Sequence, residues 1–414
     1  MKLYGLLTAF CRRTPLALIA AAIVSSCTTD APAGSPTRET LPNGATLVRY
    51  PGLPAIDSVG PDVTEARIDL QFGSVEGEDL NFIFGDIRGI QAAGDGTIYV
   101  LDNQALEVRV FSPEGEYLRT IMRRGEGPGE ILRSNGFILS GDTLLWVHET
   151  TKYVVIGVDA HGEEVRRFDA PLRRRGYFWD GAFDLRGRYW RSTSVCDDEE
   201  LDPEPGLLAG SCRRHYVSYD LAIEVIDSVY LGEETYRSFM ARMPGDGRRF
   251  YTIPFQSSRL TLLNPSGGFW DANKGSYRLT RTAEGGDTLL VIEASLPPIP
   301  VTAEDRSAYV QAQIERSPEM RSAVEEVAAL MPYFKPILED GFVDDEERLW
   351  VQRSTPLGAP RFYDLFSGDG NHLGSIRFAF QPAPYSPLWV RHGHIYALVL
   401  DDLDVQYVVR APIS

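Results

Sequence analysis

Beyond about residue 66 the chain repeats one pattern of apolar and polar positions: a small or polar turn, two or three residues, then a short strand carrying an aromatic. The instances are Asp95-Gly-Thr-Ile-Tyr99, Gly141-Asp-Thr-Leu-Leu-Trp146, Arg186-Gly-Arg-Tyr-Trp190, Ser266-Gly-Gly-Phe-Trp270, Glu346-Glu-Arg-Leu-Trp350 and His392-Gly-His-Ile-Tyr396. Their aromatics lie 47, 44, 80, 80 and 46 residues apart, so the unit is about 45 residues and two units carry insertions of roughly 35. That length matches one four-stranded propeller blade. After the aromatic strand comes a second hairpin signal, as in Val108-Arg-Val-Phe-Ser-Pro-Glu-Gly115 leading into Tyr117, and Tyr363-Asp-Leu-Phe-Ser-Gly-Asp-Gly370 leading into Leu373. Hairpins in series make an antiparallel meander. Only four residues follow Arg410, so the last unit lacks an outer strand, and Ala66-Arg-Ile-Asp-Leu-Gln-Phe72 at the front lacks a partner. Pairing the two closes the ring and removes an exposed edge. The expectation is all-β: a six-bladed propeller over residues 61–414, of four-stranded antiparallel blades, closed by an N-terminal strand.

With strands a to d running from the axis outward, the b–c loops and d–a connections open on one face. Arg191 to Arg213 reads as a b–c loop, and 123–131, 232–257 and 300–340 as d–a connections. The longest predicts a helical insertion over 303–331, between blades four and five. Thr302 and Asp305 have capping-box spacing, Ser317-Pro318-Glu319 restarts a helix, and Pro332 stops it. Val310, Ile314, Met320, Val324, Val327 and Met331 recur at helical spacing and suit either a brace on the rim or a lid over the axial opening. Cys196 and Cys212, sixteen residues apart, are expected to form a disulfide in an oxidising compartment. On the chain-entropy model it contributes about 3 kcal/mol. No histidine or third cysteine accompanies them at metal-ligand spacing.

The amino terminus carries Lys2, Arg12 and Arg13, then the apolar run Leu16–Val24, then Ser25-Ser26-Cys27. A basic flank, a short apolar run and small residues make a secretory signal over 1–26, too short for a permanent bilayer span. Val24-Ser25-Ser26-Cys27 resembles the bacterial lipobox, which implies cleavage before Cys27 and attachment of lipid to its sulfur; the alternative is an ordinary signal with an incidental cysteine. Thr28 in place of Asp points toward the outer membrane. Residues 27–60, rich in Thr, Pro, Gly and Ala without hydrophobic period, read as a flexible tether. Loss of residues 1–26 removes three basic residues and no acids, taking the formal charge of the 414-residue chain from −17 to −20. Such acidity excludes phosphate-backbone binding, which needs clustered Lys and Arg. Four cysteines are too few for a disulfide scaffold.

Polar residues at the ends of the b strands are the candidates for an axial site: Asp102, Asn103, His148, Glu149, Lys152, Arg191, Asp271, Asn273, Lys274, Arg353, Asp401 and Asp402. Carboxylates and amides gathered from several blades suit Ca²⁺, which takes six to eight oxygens. The alternative for each is a solvated loop tip. Gly125-Glu-Gly-Pro-Gly-Glu130 lacks the Gly-Lys-Ser/Thr ending of a phosphate loop and reads as an inter-blade turn. His392-Gly-His394 falls in an a–b turn on the opposite face. The sequence holds no Gly-x-Ser-x-Gly elbow and no His-Glu-x-x-His.

Asp95–Asp102, Arg109–Arg119, Gly125–Glu130, Pro300–Thr302 and Asp404–Arg410 resemble segments of the NHL-related six-bladed β-propeller lipoproteins of bacteria. The resemblance covers about residues 66–411 and implies fold and compartment rather than chemistry. It departs at Glu346-Glu347, where the turn glycine is missing. The expectation is a monomeric, lipid-anchored binding module of the cell envelope, meeting the membrane through Cys27, facing periplasm or exterior, and taking a protein, peptide or glycan partner. The alternative is a Ca²⁺-dependent hydrolase, lactonase or lyase using carboxylates such as Glu149 and Asp271.

Overall fold

The computed structural model describes residues 35–413 except 78, 170–180, 197–203, 220–224, 244, 246, 385 and 387. The expected signal segment, 1–26, and Cys27 lie outside the described residues. Six antiparallel sheets follow one another along the chain. Blade I comprises Ile87–Ala92, Ile98–Asp102, Glu107–Phe111 and Tyr117–Arg124; blade II, Ser134–Ser140, Leu144–Glu149, Val154–Asp159 and Glu164–Asp169. Blade III comprises Gly181–Phe183, Tyr189–Cys196, Gly206–Tyr219 and Val225–Arg242, with Arg248–Thr252 as a fifth strand. Blade IV comprises Arg259–Leu263, Phe269–Asn273, Arg278–Thr282 and Thr288–Ala294; blade V, Leu338–Val343, Leu349–Arg353, Phe362–Phe366 and His372–Phe378. Blade VI takes Trp389–Arg391, His394–Leu400 and Gln406–Pro412 from the end of the chain and Leu70–Phe72 from its beginning. The ring closes as expected, with Val408 opposite Phe72 and Arg410 opposite Leu70.

The periodic aromatic is the reason these strands assemble. Trp146, Trp190, Trp270 and Trp350 are fully buried between neighbouring sheets, where large aromatics supply most of the apolar area that holds blades together. First strands of adjacent blades approach one another, as Gln91 shows by donating to Phe137 O at 3.1 Å and accepting from Leu139 N at 2.5 Å. These strands therefore stand at the axis.

The amino-terminal segment departs from the tether reading. Residues 35–60 include Thr37–Thr40 and Thr46–Tyr50, which extend blade IV: Thr46–Tyr50 runs parallel to its outer strand, with Val48 opposite Ile292. Val63–Ala66 then adds a parallel strand to blade V, with Thr64 opposite Ile376. The segment is a belt across three blades. Leu47, Val48 and Tyr50 are buried, Tyr50 donates to Gly370 O at 2.9 Å, and Arg377 donates to Ile56 O and Ser58 O at 2.6 and 2.8 Å. Burial of a few apolar side chains on a preformed edge orders it where no amphipathic period would.

The upper face, with the b–c turns and d–a connections, carries the insertions. Arg191–Arg213 and 232–257 are corrected from loops to mostly strand. The third and fourth strands of blade III run on past the ring, with Gly206 opposite Met240, and Arg248–Thr252 pairs back on Ser238–Arg242. The Cys196–Cys212 disulfide joins directly opposed residues at the root of this extension. The helical insertion forms α1 (Ala303–Arg316) and α2 (Arg321–Ala329). Thr302 and Asp305 make the capping box, and Pro318 opens a single 3-10 turn before α2. Met320, Val324 and Val327 pack on Phe239, Ala241 and Tyr251 of the blade III extension, so the helices brace that extension. Lys335 pairs with Asp305 at 2.8 Å, both buried, and Arg249 donates to Ser317 Oγ at 2.6 Å. No helix among the described residues is long and apolar enough to cross a membrane.

The turn that lacks a glycine keeps the conformation of the others. Glu347 adopts the left-handed conformation (φ 57°) that Gly96 and Gly187 occupy at the same place in other blades. Asp344 holds this turn by accepting from Glu346 N and Arg348 N at 3.0 and 2.9 Å, and from Arg348 Nε and Trp350 Nε1 at 2.7 and 2.8 Å. Blade III repeats the device with Asp184, Arg188 and Trp190. In blade IV the same places hold Asn264 and Gly268; with no arginine there, a neutral amide donates to Ser266 Oγ and Glu347 Oε2. Asn264→Asp is therefore expected to destabilise by about 1–3 kcal/mol, as a buried carboxylate facing Glu347 without a cation. Thermal melting checks this, and an unchanged midpoint would refute the charge-matching explanation.

Candidate functional site

The b-strand ends do lie on the upper face, but most of their polar groups serve the turns that follow. Asp102 is buried and accepts from Gly85, Asp86, Gln104 and Ala105 N–H groups at 2.9–3.2 Å, with Arg109 at 3.6 Å. Glu149 accepts from the N–H groups of Arg133, Thr151 and Lys152 at 3.2, 3.0 and 2.6 Å. Asn273 accepts from Gly275 N, and Asp401 from Leu403 N and Val405 N. A short acceptor after a strand closes the chain into an Asx-type turn, and four blades use it. Asn103 ties two blades, donating to Asp86 and accepting from Ser134 N. Lys152 is exposed and pairs with Glu126 at 3.1 Å. Lys274 engages blade V through its backbone, its carbonyl accepting from Leu338 N.

Asp402 is exposed, and the remaining candidates fall into three separate inter-blade clusters. Between blades II and III, buried His148 donates from Nδ1 to Asn135 Oδ1 at 2.7 Å. Burial pushes its ring down to about 4, opposed by Glu149 and reinforced by Arg191. At the border of blades III and IV, Asp271 binds Arg259 and accepts from Thr261 Oγ1 at 2.9 Å, while Arg214 pairs with Glu234 at 3.1 Å and donates to Thr261 at 3.0 Å. Between blades IV and V, fully buried Asp364 accepts from Tyr277 Oη at 2.6 Å, Ser375 Oγ at 2.7 Å and Arg353 Nη2 at 3.0 Å. Burial raises the Asp364 carboxyl, but Arg353, His372 and Tyr277 outweigh it and hold it below its ordinary value.

Asp364, His372 and Ser375 have the composition of a hydrolase triad without its order. Ser375 gives its proton to Asp364, and one ring nitrogen, His372 Nε2, faces both Ser375 Oγ (3.3 Å) and Asp364 Oδ1 (3.7 Å). A working base needs the acid on its other nitrogen and a nucleophile open to substrate, whereas Ser375 is buried. The candidate carboxylates are likewise not gathered: among the described residues no group of three or more His, Cys, Asp or Glu side chains is arranged to hold a metal ion.

Two acidic residues outside the expected set stand nearer the axis. Glu339 and Asp340 occupy the upper end of the first strand of blade V with exposed side chains. Crowding at the mouth raises the Glu339 carboxyl through desolvation, against the pull of Arg361, Lys274 and Lys335. Their signal was the polar pair in Ile337-Leu-Glu-Asp-Gly341, a first strand, whereas the expectation looked only to second strands. Away from the axis, a groove of about 430 Å³ runs between α2 and the blade III extension, lined by Phe239, Met240, Arg242, Met320, Ala323 and Glu326 among others.

Residues 66–166 match a family model described as a 6-bladed beta-propeller. No curated protein matches. Among solved structures, the chain is similar to a protein from Bacteroides fragilis described as exported (11% identity, TM-score 0.44, covering 85% of this chain and 99% of that one). It is similar also to a member of the DUF4221 family from Bacteroides vulgatus (10%, TM-score 0.43, 84% and 97%). A third is regucalcin, a calcium-binding protein from Agrobacterium tumefaciens (10%, TM-score 0.38, 84% and 96%). These are likenesses of fold alone. The match over residues 66–166 and the six sheets agree: the chain is a six-bladed β-propeller.

Proposed function

We propose that the protein is an exported, lipid-anchored propeller that works as a binding module, with its insertion-bearing upper face as the working surface. The observation that carries this reading is the asymmetry of the ring. The long connections rise on one side, where a disulfide, a helix pair and the Lys335–Asp305 pair hold them rigid. Exposed apolar side chains stand on this face too, with Val75, Leu80, Tyr153, Leu207, Leu357 and Leu403 on its connections. Apolar surface kept on rigid loops is what recognition uses, and a protein, peptide or glycan is the class of partner that a broad face of this kind accommodates.

A photo-crosslinking amino acid placed at Tyr153, Leu207 or Leu403, compared with Leu118, Leu185 or Leu373 on the lower face, tests this in living cells. The expected result is a discrete adduct from upper positions that alanine changes on that face abolish. Equal yields from both faces would sink the proposal.

A further inference from the structure

The axial passage is closed at its lower end. Arg391, in the lower turn of blade VI, pairs with Asp142 of blade II at 2.8 Å and with Asp345 of blade V at 3.7 Å. Asp142 also accepts from Gly94 N of blade I at 2.9 Å, and Asp345 from His392 N at 3.2 Å. Blades II and V stand opposite each other in a ring of six, so one side chain bridging their turns spans the axis. The passage is thereby a well entered from the upper face.

Inner strands turn few side chains into such a well, because alternate residues lie against the two neighbouring blades. A bulge is the exception, since its extra residue is re-aimed. Blade V has one at the mouth: Leu338 pairs with Arg353 and Asp340 with Gln352, which leaves Glu339 without a cross-strand partner. Blades I and II carry the same irregularity at the same place, at Arg88 and at Asn135-Gly136. There the side chains are engaged, Arg88 with Asp86 at 2.8 Å and Asn135 with His148 at 2.7 Å. Among the described residues no hydrogen bond or ion pair engages the Glu339 carboxylate.

Its neighbour across the border of blades IV and V is equally free. Half-buried Lys274 is fixed through its backbone, which donates to Ser258 O at 2.9 Å and accepts from Leu338 N at 3.0 Å, one residue from Glu339. Its ammonium group has no partner among the described residues, although it is near enough to favour the charged form of Glu339. Arg361 adds a second cation within range, whereas Lys335 is already engaged by Asp305 at 2.8 Å. Opposite charges held apart on fixed backbone, at the mouth of a well closed below, are complementary to a ligand that carries both signs close together. We infer that the upper mouth, at the border of blades IV and V, binds a small zwitterion, an amino acid or short peptide, with its ammonium on Glu339 and its carboxylate on Lys274. This inference deepens the binding-module reading proposed above and rests on it.

The test dialyses the full-length protein to equilibrium against the proteinogenic amino acids and a mixed dipeptide library at millimolar concentration, and identifies the retained species by mass spectrometry. Retention of at least one zwitterion is expected, with affinity lowered about tenfold to a hundredfold by Glu339→Gln and by Lys274→Met. N-acetylation of the retained ligand, or amidation of its carboxylate, should weaken it to the same degree. Because neither side chain has a structural partner, both variants should keep the wild-type melting curve, and Lys152→Met, on the same face, should bind as the wild type does. Nothing retained by the wild type, or equal retention by Glu339→Gln and Lys274→Met, overturns the zwitterion site. Upper-face crosslinks that persist while nothing is retained leave the binding module standing without this site. Loss of the crosslinks as well overturns both readings.

Discussion

Asp364→Ala is expected to destabilise the propeller by about 3–5 kcal/mol, the range for removing one partner of a buried charge pair. The carboxylate accepts from Tyr277, Ser375 and Arg353 at once. Without it the buried guanidinium keeps Pro54 O, at 2.5 Å, and the Phe362 ring, Tyr277 loses its acceptor and Ser375 is left to His372. The change should propagate to the belt, because Arg353 is one of the groups that pins it. Chemical denaturation supplies the free energy, and hydrogen exchange at Leu47–Tyr50 reports the belt. Tyr277→Phe removes one donor and should cost about 1 kcal/mol. A loss for Asp364→Ala no larger than that for Tyr277→Phe would show that the charge pair contributes little.

The second large effect is acid lability centred on His148. A histidine in the unfolded chain takes up its proton near 6.5, whereas burial holds the native ring neutral down to about 4. As pH falls through this window the unfolded state binds the extra proton first, so stability falls, reaching a loss of about 3 kcal/mol once both states are protonated. The interval from pH 6.5 to 5 isolates the histidine, since the carboxylates titrate mainly below it. His148→Gln should flatten stability against pH in that interval, whatever its effect at pH 7. An unchanged slope would place the protonation elsewhere.

The blades were legible in the sequence because a buried aromatic every 45 residues is a strong periodic signal, and Trp146, Trp190, Trp270 and Trp350 are where it pointed. The disulfide and the capping box were legible too, since both depend on short spacings. The belt was not: Thr46-Leu-Val-Arg-Tyr50 is a single short strand with no repeat, and it is ordered by an edge more than 240 residues away. The turn-holding partners of the candidate residues were not legible for a related reason. Asp102, Glu149, Asn273 and Asp401 end their strands on the expected face, but a carboxylate or amide at a strand end has N–H groups one turn away and satisfies them before it can reach an axis. Asp364 left a usable trace as the single polar residue in Phe362-Tyr-Asp-Leu-Phe366, since a charge in a fully buried strand must have partners.

The belt also sets the order of events when the protein folds. Residues 46–72 leave the ribosome first and acquire their partners last: Val48 waits for Ile292, Thr64 for Ile376 and Phe72 for Val408. Loop closure over such distances is slow, and until it happens blade VI has three strands and an open edge. The interval between the arrival of Phe72 and that of Val408 is the longest of the three, and its end completes blade VI.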